Sequence, residues 1–374
     1  MEQIKRYITD HKEELLELLR HLCHIPAPSH HEEQRAAFCQ DWLQAQGAEG
    51  VYTDGAMNVI FPLHCEGSNK ITVFVAHTDT VFPDTEPMPF FENEKEIRCP
   101  GAGDDTASLA VLLMTAKFFI QHHIKPQNGI LFVANSGEEG LGNLKGTRAL
   151  FQSYEGRIAQ FISFDSSIHA IANRCVGSHR YEVEVRTAGG HSWGAFGTPN
   201  AIAALCAIVQ EIYTTPLPVK EHCKATYNVG DISGGTSVNT IAQSARMLCE
   251  YRSDDEELLA HMQAVFARIF ERANNDDVQV FVTKIGDRPC GIVDTPAIRA
   301  LCRTCEDVIR SVTGEGVVYK SSSTDCNIPL SLGIPAICIG VYEGGGAHTR
   351  EEWVRKASLA PGLEIAIRVA LSFA

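Results

Sequence analysis

The hydrophobic residues of this chain follow two patterns, and the change between them divides the sequence. Three apolar runs in the first half are continuous rather than alternating: ITVFVAH, GILFVANS and RIAQFISFD. Continuous runs are typical of strands buried on both faces of a mostly parallel sheet. Helical periodicity precedes and separates them, at residues 3–22 and in DTASLAVLLMTAKFFIQHH. The first half is therefore predicted to be an α/β unit.

A second helix is predicted near the N-terminus. Ser29-x-x-Glu32 matches a capping box, in which the two side chains satisfy amides at the start of a helix. The pattern extends this helix to about Gln46 and ends it at Gly47.

The pattern changes near residue 180, where YEVEVRT alternates as a half-exposed antiparallel strand does. The segments that follow predict the order strand, helix, strand, strand, helix, strand, with Pro199 at the start of the first helix. This βαββαβ order is that of a ferredoxin-like unit.

The buried α/β pattern then returns, with a helix over 295–313, the strand AICIGV and a closing helix from about Leu359. We therefore predict a mostly parallel sheet flanked by helices, with a ferredoxin-like domain inserted into it. The predicted boundaries are 1–178 and 288–374 for the catalytic domain and 179–287 for the insertion.

Composition narrows the class of protein. A net charge of −14 offers no basic face for nucleic acid, and no apolar run approaches a membrane span. The first residues, MEQIKRYITDHKEELLELL, form an amphipathic pattern rather than a signal peptide. Thirteen scattered cysteines are typical of reduced thiols in a cytoplasmic protein. Cys302-x-x-Cys305 lies within a helical pattern, which favours two thiols on a helix face over a redox pair or a zinc site.

Histidines and carboxylates gather where the predicted strands end and where one helix begins. Active sites of open α/β sheets lie at the carboxyl ends of strands. Histidine with carboxylates is a ligand set for Zn²⁺ or Mn²⁺, and burying so many charges without a cation would be very costly. We therefore predict a metal site. The residues concerned are His77, Asp79, Asp104, Asp105, Glu138, Glu139, Asp165 and His348.

Single members of this set have ordinary structural explanations. Glu138-Glu139 alone would be a solvated turn, and Asp104-Asp105 alone would suit a helix N-terminus. The combination of five segments is what indicates a site. Gly101-x-Gly103 does not indicate a nucleotide loop, because the two aspartates that follow would repel phosphate.

Motifs along nearly the whole chain resemble those of a known enzyme family. They are IPAPSHHEEQRAAF, DGAMNVIF, GGHS, GGTSVNTIA and SSSTDCNIPLSLGIPAICIG with the later GGAHT. Together with the acidic-histidine set, they resemble the co-catalytic zinc peptidases that include peptidase T, glutamate carboxypeptidase, acetylornithine deacetylase and aminoacylase. The resemblance implies two divalent metal ions, with zinc first and manganese or cobalt as alternatives.

The resemblance also implies a ligand for each metal position. Asp104 would be the carboxylate that bridges the two ions. His77 and Asp165 would complete one ion, and Glu139 and His348 the other.

Other residues of the set would act without binding metal. Glu138 would be the general base, Asp79 would orient His77, and Asp105 would support the bridging residue through backbone geometry. The family often has lysine after this point, where this chain has Thr106.

On the substrate side, the resemblance makes His191 of GGHS a donor to the scissile carbonyl of the partner subunit's site. Asn239 would contact substrate, Arg252 would clamp a substrate carboxylate, and Gly345 would let the backbone approach a bound chain. A homodimer through the inserted domain is thereby expected.

The sequence thus predicts a cytoplasmic dinuclear-metal amidohydrolase, closest to peptidase T, that acts as an exopeptidase on short peptides. Carboxypeptidase action or removal of an N-acyl group from an amino acid are alternatives on the same centre. A metal-binding protein without catalysis is the non-enzyme alternative, against which Glu138 stands. A two-metal phosphohydrolase would need basic residues near the metals, and the ligand segments offer only Lys145 and Arg350.

Overall fold

The computed structural model describes residues 1–374, which divide into two compact units. The first unit comprises Met1–Cys175 and Ile292–Ala374, and the second comprises Val176–Gly291. Each unit has its own hydrophobic core. No helix combines the length and the apolar character that a bilayer span requires.

The chain forms nine α-helices. They are α1 (Glu2–Cys23), α2 (Glu33–Ala45), α3 (Ser108–Gln121), α4 (Lys145–Ser153), α5 (Ala201–Thr214), α6 (Glu256–Ala273), α7 (Pro296–Thr313), α8 (Asn327–Ser331) and α9 (Leu359–Leu371). A π-helical turn, Ala102–Ala107, leads into α3, and 3₁₀ turns lie at Gly140–Gly142 and Lys356–Ser358.

The strands are shorter and more numerous. They are β1 (Tyr52–Thr53), β2 (Val59–Leu63), β3 (Ile71–His77), β4 (Phe91–Glu92), β5 (Glu96–Arg98), β6 (Ile130–Asn135), β7 (Ile158–Phe164), β8 (Ala170–Cys175), β9 (Gly177–Arg186), β10 (Gly190–His191), β11 (Ala225–Gly234), β12 (Thr240–Ile241), β13 (Ser244–Ser253), β14 (Gln279–Arg288), β15 (Gly291–Ile292), β16 (Val318–Ser322), β17 (Ala336–Ile339), β18 (Gly344–Gly345) and β19 (Trp353–Arg355).

The large sheet of the first unit is parallel at its centre. Its order is β1-β2-β6-β3-β7-β17-β8-β15, with β16 also paired to β8. The four central strands, β6, β3, β7 and β17, run parallel, whereas β2 is antiparallel to β6 and β8 is antiparallel to β17. Every residue of β3 and β6 is buried, as their continuous apolar runs predict. The predicted fold class is confirmed.

The second unit is a four-stranded antiparallel sheet with two helices. Its strand order is β11-β13-β9-β14, and the chain order β9, α5, β11, β13, α6, β14 is the predicted βαββαβ arrangement. Apolar residues of α5 and α6 join the inward residues of β9 and β13 in the core of this unit. The ferredoxin-like prediction is confirmed for this unit.

Two predicted helix starts are wrong. Helix α2 begins at Glu33 with no side-chain cap. The Ser29 hydroxyl donates to Asp79, and its oxygen accepts from no amide of the first turn. Helix α5 is capped by Asn200, whose side chain accepts from two amides of the first turn, so Pro199 precedes the cap. At α2 a bond to a distant carboxylate replaces the local cap, and at α5 the asparagine after the proline is the cap.

Candidate metal centre

The parallel strands bring their carboxyl ends, and the polar residues there, to one edge of the sheet. His77 ends β3, Glu138 and Glu139 follow β6, and Asp165 follows β7. The apolar residues before these positions are buried in the core, so the polar residues come at the point where each strand leaves it. Sequence position alone thus accounts for four residues at this edge.

Asp104 and His348 reach the same place from two loops. His77 Nε2 lies 3.0 Å from Asp104 Oδ1, and His348 Nε2 lies 3.2 Å from Asp104 Oδ2. His348 Nε2 is also 3.3 Å from Glu139 Oε1. The two oxygens of Asp104 therefore face different histidines, as a carboxylate between two cations would.

Two groups of ligand atoms lie close enough to share an ion. His77, Asp104 and Glu139 form one group, and His77, Glu138 and Asp165 form the other, with their ligand atoms within 4.8 Å of one another. The structure thus gathers His77, Asp104, Glu138, Glu139, Asp165 and His348. The second group contains Glu138, the predicted general base, and not Asp104, the predicted bridging ligand. Which of the two glutamates binds metal and which acts as the base is therefore a question for experiment.

Negative charge exceeds what the two histidines can offset. Burial, with the charges of Asp104 and Asp105, raises the pKa of Asp165 well above its usual range. Burial also raises the pKa of Glu139 to about 7, to which Asp104 and Glu138 contribute, against an opposing contact from His348. Contacts with Asp104 and Glu139 raise the pKa of His348 to about 10. The first two shifts arise from buried carboxylates that lie close to other carboxylates, and the third arises from a histidine that two carboxylates stabilise in its protonated form.

Unsatisfied oxygens point to the same conclusion. Asp105 Oδ1 is buried without a hydrogen-bond partner, and Glu139 Oε1, although close to His348, makes no well-aligned hydrogen bond. Buried carboxylate oxygens are normally paired, because leaving them bare costs free energy. Imidazole nitrogens and carboxylate oxygens are the donors that zinc and manganese take. The residues present therefore fit a pair of divalent cations.

Asp79 supports the centre in more ways than the predicted one. The backbone oxygen of Asp79, 2.9 Å from His77 Nδ1, is the closer partner of that ring, and the carboxylate Oδ1 is 3.5 Å away. Its carboxylate accepts hydrogen bonds from the amides of Glu138 and Glu139, both at 3.0 Å, and from the Ser29 hydroxyl at 2.6 Å. Asp79 therefore fixes the loop that carries both glutamates as well as the imidazole.

Asp105 also acts through its side chain, contrary to the expectation of backbone support alone. Its Oδ2 accepts the amide hydrogen of His77 at 3.0 Å, and the residue is fully buried. Asp104 and Asp105 have non-helical backbone angles within the π-helical turn, so the turn is interrupted where the bridging candidate lies.

Arg35 is a residue that the sequence did not reveal. It is 1% exposed on α2, and its guanidinium donates to the backbone oxygen of Thr78, between His77 and Asp79, at 2.8 Å. The same Nη1 donates to the hydroxyl of Thr106 at 3.3 Å. No local pattern marks a single arginine on an amphipathic helix as buried, so its contacts had to come from the structure.

His348 lies in a strained loop. Its φ of 64° is in the left-handed region, which costs a residue other than glycine on the order of 1 kcal/mol. The loop before it is tightly packed, since a Cβ on Gly345 would lie 3.0 Å from the indole nitrogen of Trp353 and would require that ring to shift. The structure thus gives Gly345 a packing role; its predicted contact with substrate stays a prediction.

The remaining predicted substrate residues lie in the second unit. His191 is exposed, and its Nδ1 accepts from the amides of Trp193 and Gly194 at 3.2 and 3.3 Å. A neutral imidazole that accepts at Nδ1 carries its proton on Nε2, which leaves that nitrogen as a donor. This arrangement suits the predicted contact with a carbonyl oxygen.

Asn239 and Arg252 have protein partners of their own. Asn239 Oδ1 accepts from Ser237 at 2.8 Å, and its backbone oxygen accepts from Ser192, one residue after His191. Arg252 Nε donates to Glu250 at 2.6 Å, so a substrate carboxylate would have to share or replace that partner.

Comparison with known proteins identifies a family for this chain. Residues 73–372 match the model described as peptidase family M20/M25/M40. A putative succinyl-diaminopimelate desuccinylase of Mycobacterium tuberculosis is 23% identical over 360 residues, 94% of this chain and 96% of its own length.

Solved structures agree on the fold. Aminopeptidase PepT from Bacillus cereus superposes with a TM-score of 0.72 at 21% identity, covering 96% of this chain and 97% of that one. The YXEP protein of Bacillus subtilis, described as a dinuclear metal binding peptidase, gives a TM-score of 0.66 at 16% identity, covering 97% of this chain and 99% of that one.

Proposed function

The chain belongs to peptidase family M20/M25/M40, and we propose on that premise that it is a two-metal exopeptidase of the peptidase T type, acting on di- and tripeptides. Membership of this family makes it a hydrolytic enzyme. One observation supports the mechanism most: one Asp104 oxygen lies near His77 and the other lies near His348.

In this proposal, His77 and Asp165 would hold one divalent ion, Glu139 and His348 would hold the other, and Asp104 would serve both. Ions bound there would supply a Lewis acid for the carbonyl and would lower the pKa of a bound water. Asp79 and Asp105 keep His77 and the glutamate loop in place through the hydrogen bonds described above.

Glu138 is the proposed general base. It is buried, it follows β6 beside Glu139, and its amide is fixed by Asp79 at 3.0 Å. A carboxylate in that place can take the proton of the attacking water and pass it to the leaving amine. That transfer balances the reaction, because the amine leaves with the proton that the water gave up.

Basic residues near the centre are already engaged, which weakens the case for a phosphohydrolase. Lys145 Nζ donates to the buried Glu32 at 2.8 Å, and Arg350 makes a two-pronged ion pair with Asp84 at 2.7 and 3.0 Å. Phosphoryl transfer normally calls for cations that contact the phosphate. Amide hydrolysis needs none.

Removal of an N-acyl group is the second candidate. The Mycobacterium tuberculosis relative, aligned over 94% of this chain, is named as a putative desuccinylase, which supports this candidate. Carboxypeptidase action remains the other alternative, and Arg252 is the residue that would favour it if it released Glu250.

A digest separates these functions. Metal-reconstituted protein is incubated with a mixture of dipeptides, tripeptides, N-terminally blocked peptides and N-acyl amino acids, and the products are identified by mass spectrometry. The proposal predicts release of N-terminal residues from free di- and tripeptides only. Cleavage restricted to acyl groups or to C-terminal residues would overturn the aminopeptidase assignment, and binding of two metals without any hydrolysis would make this a non-catalytic homologue.

His191 gives a prediction about subunits. If its Nε2 donates to the scissile carbonyl oxygen, His191→Ala should lower kcat by about 10²- to 10³-fold, the usual cost of an oxyanion donor. Metal content should not change, because the residue is outside the ligand set. Steady-state kinetics and metal analysis of the same sample check both statements.

Action across a dimer makes that prediction sharper. Mixing His191→Ala with Glu138→Gln subunits should restore activity, since one site of each heterodimer would receive an intact base and an intact partner histidine. Random exchange makes about half of the dimers mixed, so recovery should reach about a quarter of wild-type activity per chain. Absence of recovery after confirmed subunit exchange would place His191 in its own subunit's site or in no site.

A further inference from the structure

Glu352 is a buried carboxylate that the proposed mechanism does not use. It is 1% exposed, lies directly before β19, and follows His348 by four residues. Nothing in its immediate sequence, HTREEWV, separates it from its exposed neighbour Glu351.

Its side chain is entirely taken up by the loop that carries Asp104. Glu352 Oε1 accepts the amide hydrogens of Gly103 at 2.9 Å and of Asp104 at 2.6 Å, and Oε2 accepts that of Gly101 at 2.8 Å. Successive amides converging on one anion form the kind of concavity that binds carboxylate or phosphate groups. Here the anion is part of the protein.

The fit between the carboxylate and the loop is close. A Cβ on Gly103 would lie 2.9 Å from Glu352 Oε1, so only glycine lets the carboxylate approach the backbone at this point. The amide of Cys99 also donates to the backbone oxygen of Glu352, at 3.1 Å. The segment after His348 and the segment before Asp104 are thus joined by four hydrogen bonds.

We propose that Glu352 is a positioning residue of the metal centre, which holds Asp104 so that each of its oxygens faces its own histidine. The inference rests on the proposed two-metal function and adds a residue to it. Because the amide of Asp104 itself donates to Glu352, the backbone at Asp104, from which the bridging carboxylate extends, is held in place. The same anchor limits the movement of His348, four residues away on the other segment.

A residue that only stabilised the loop would behave differently. It would lower the melting temperature of the metal-free protein without changing the affinity of the folded protein for metal. Groups that orient metal ligands usually contribute about 10- to 100-fold in metal affinity. The two roles therefore separate when affinity and melting temperature are measured on one variant.

The test compares Glu352→Gln with Glu351→Gln. In glutamine one carboxylate oxygen is replaced by an NH₂ group, which cannot accept a hydrogen bond. At least one backbone N–H of the loop therefore loses its acceptor, while the side chain keeps its size. Zinc affinity is measured by competition with a chromophoric chelator, at a temperature where the metal-free variant is folded by circular dichroism. We expect about 10- to 100-fold weaker binding of both ions for Glu352→Gln and wild-type binding for Glu351→Gln.

A second variant, Glu352→Asp, keeps the proposal testable if Glu352→Gln does not fold. Glu352→Asp keeps the charge but shortens the side chain, and we expect its metal affinity to fall between those of wild type and Glu352→Gln. Wild-type affinity in whichever of the two variants folds, whatever its melting temperature, would overturn the inference. If the wild-type protein itself bound fewer than two ions, the proposed function would fail first, so the two failures can be told apart.

Discussion

Glu138→Gln is expected to keep both metal ions and to lose turnover by about 10²-fold or more, the usual contribution of a general base. Glutamine has nearly the same shape as glutamate but cannot accept the proton of the attacking water. The amide of residue 138 would still donate to Asp79, so the loop should hold its place. Metal analysis and kcat, measured on the same preparation, check the prediction.

Glu139→Gln is the matched control, because the two residues are adjacent and both buried. This variant should lose affinity for the ion that His348 also binds, whereas Glu138→Gln should not. The proximity of Glu138 to His77 and Asp165 makes the comparison informative. Metal loss in Glu138→Gln, or a near-normal rate, would require the two roles to be exchanged or dropped.

Asp104→Ala should be the most damaging change among the ligands. Its two oxygens lie 3.0 and 3.2 Å from His77 and His348, so its removal takes a ligand from both positions at once. Its negative charge also offsets the mutual repulsion of two cations only a few ångströms apart. We expect loss of both metals, measured as metal equivalents per chain after desalting.

Two other variants serve as comparisons for Asp104→Ala. His348→Ala should retain at least one ion, and Asp105→Asn should retain both, since asparagine can still accept the amide hydrogen of His77. Equal metal content in Asp104→Ala and His348→Ala would remove Asp104 from the bridging role. Asp105 would then be the candidate.

The main features of the fold were predictable because a strand that is buried on both faces appears in the sequence as an apolar run. Strands β3, β6 and β7 are mostly apolar runs; β3 ends at His77, and Glu138 and Asp165 follow shortly after β6 and β7. Parallel pairing then places those ends together without further information. Asp104 and His348 were also candidates from the sequence, but their separate roles as ligands needed the resemblance, since they lie in segments whose paths no periodicity fixes.

The supporting residues were not predictable for a physical reason. Arg35, Ser29 and Glu352 act through contacts with residues far away along the chain, 43, 50 and 248 positions in the bonds to Thr78, Asp79 and Asp104. A charged residue in an amphipathic helix or a turn is usually solvated, so its local sequence suggests exposure. Ser29 even matched a capping box, but its hydroxyl donates to the buried carboxylate of Asp79, and its oxygen does not cap the helix.

The most direct test of the two-metal centre is an anomalous-difference map from crystals grown with zinc, recorded at the zinc absorption edge. We expect two peaks per chain a few ångströms apart, with Asp104 between them, His77 and Asp165 beside one, and Glu139 and His348 beside the other. A single peak, or peaks away from these residues, would contradict the account.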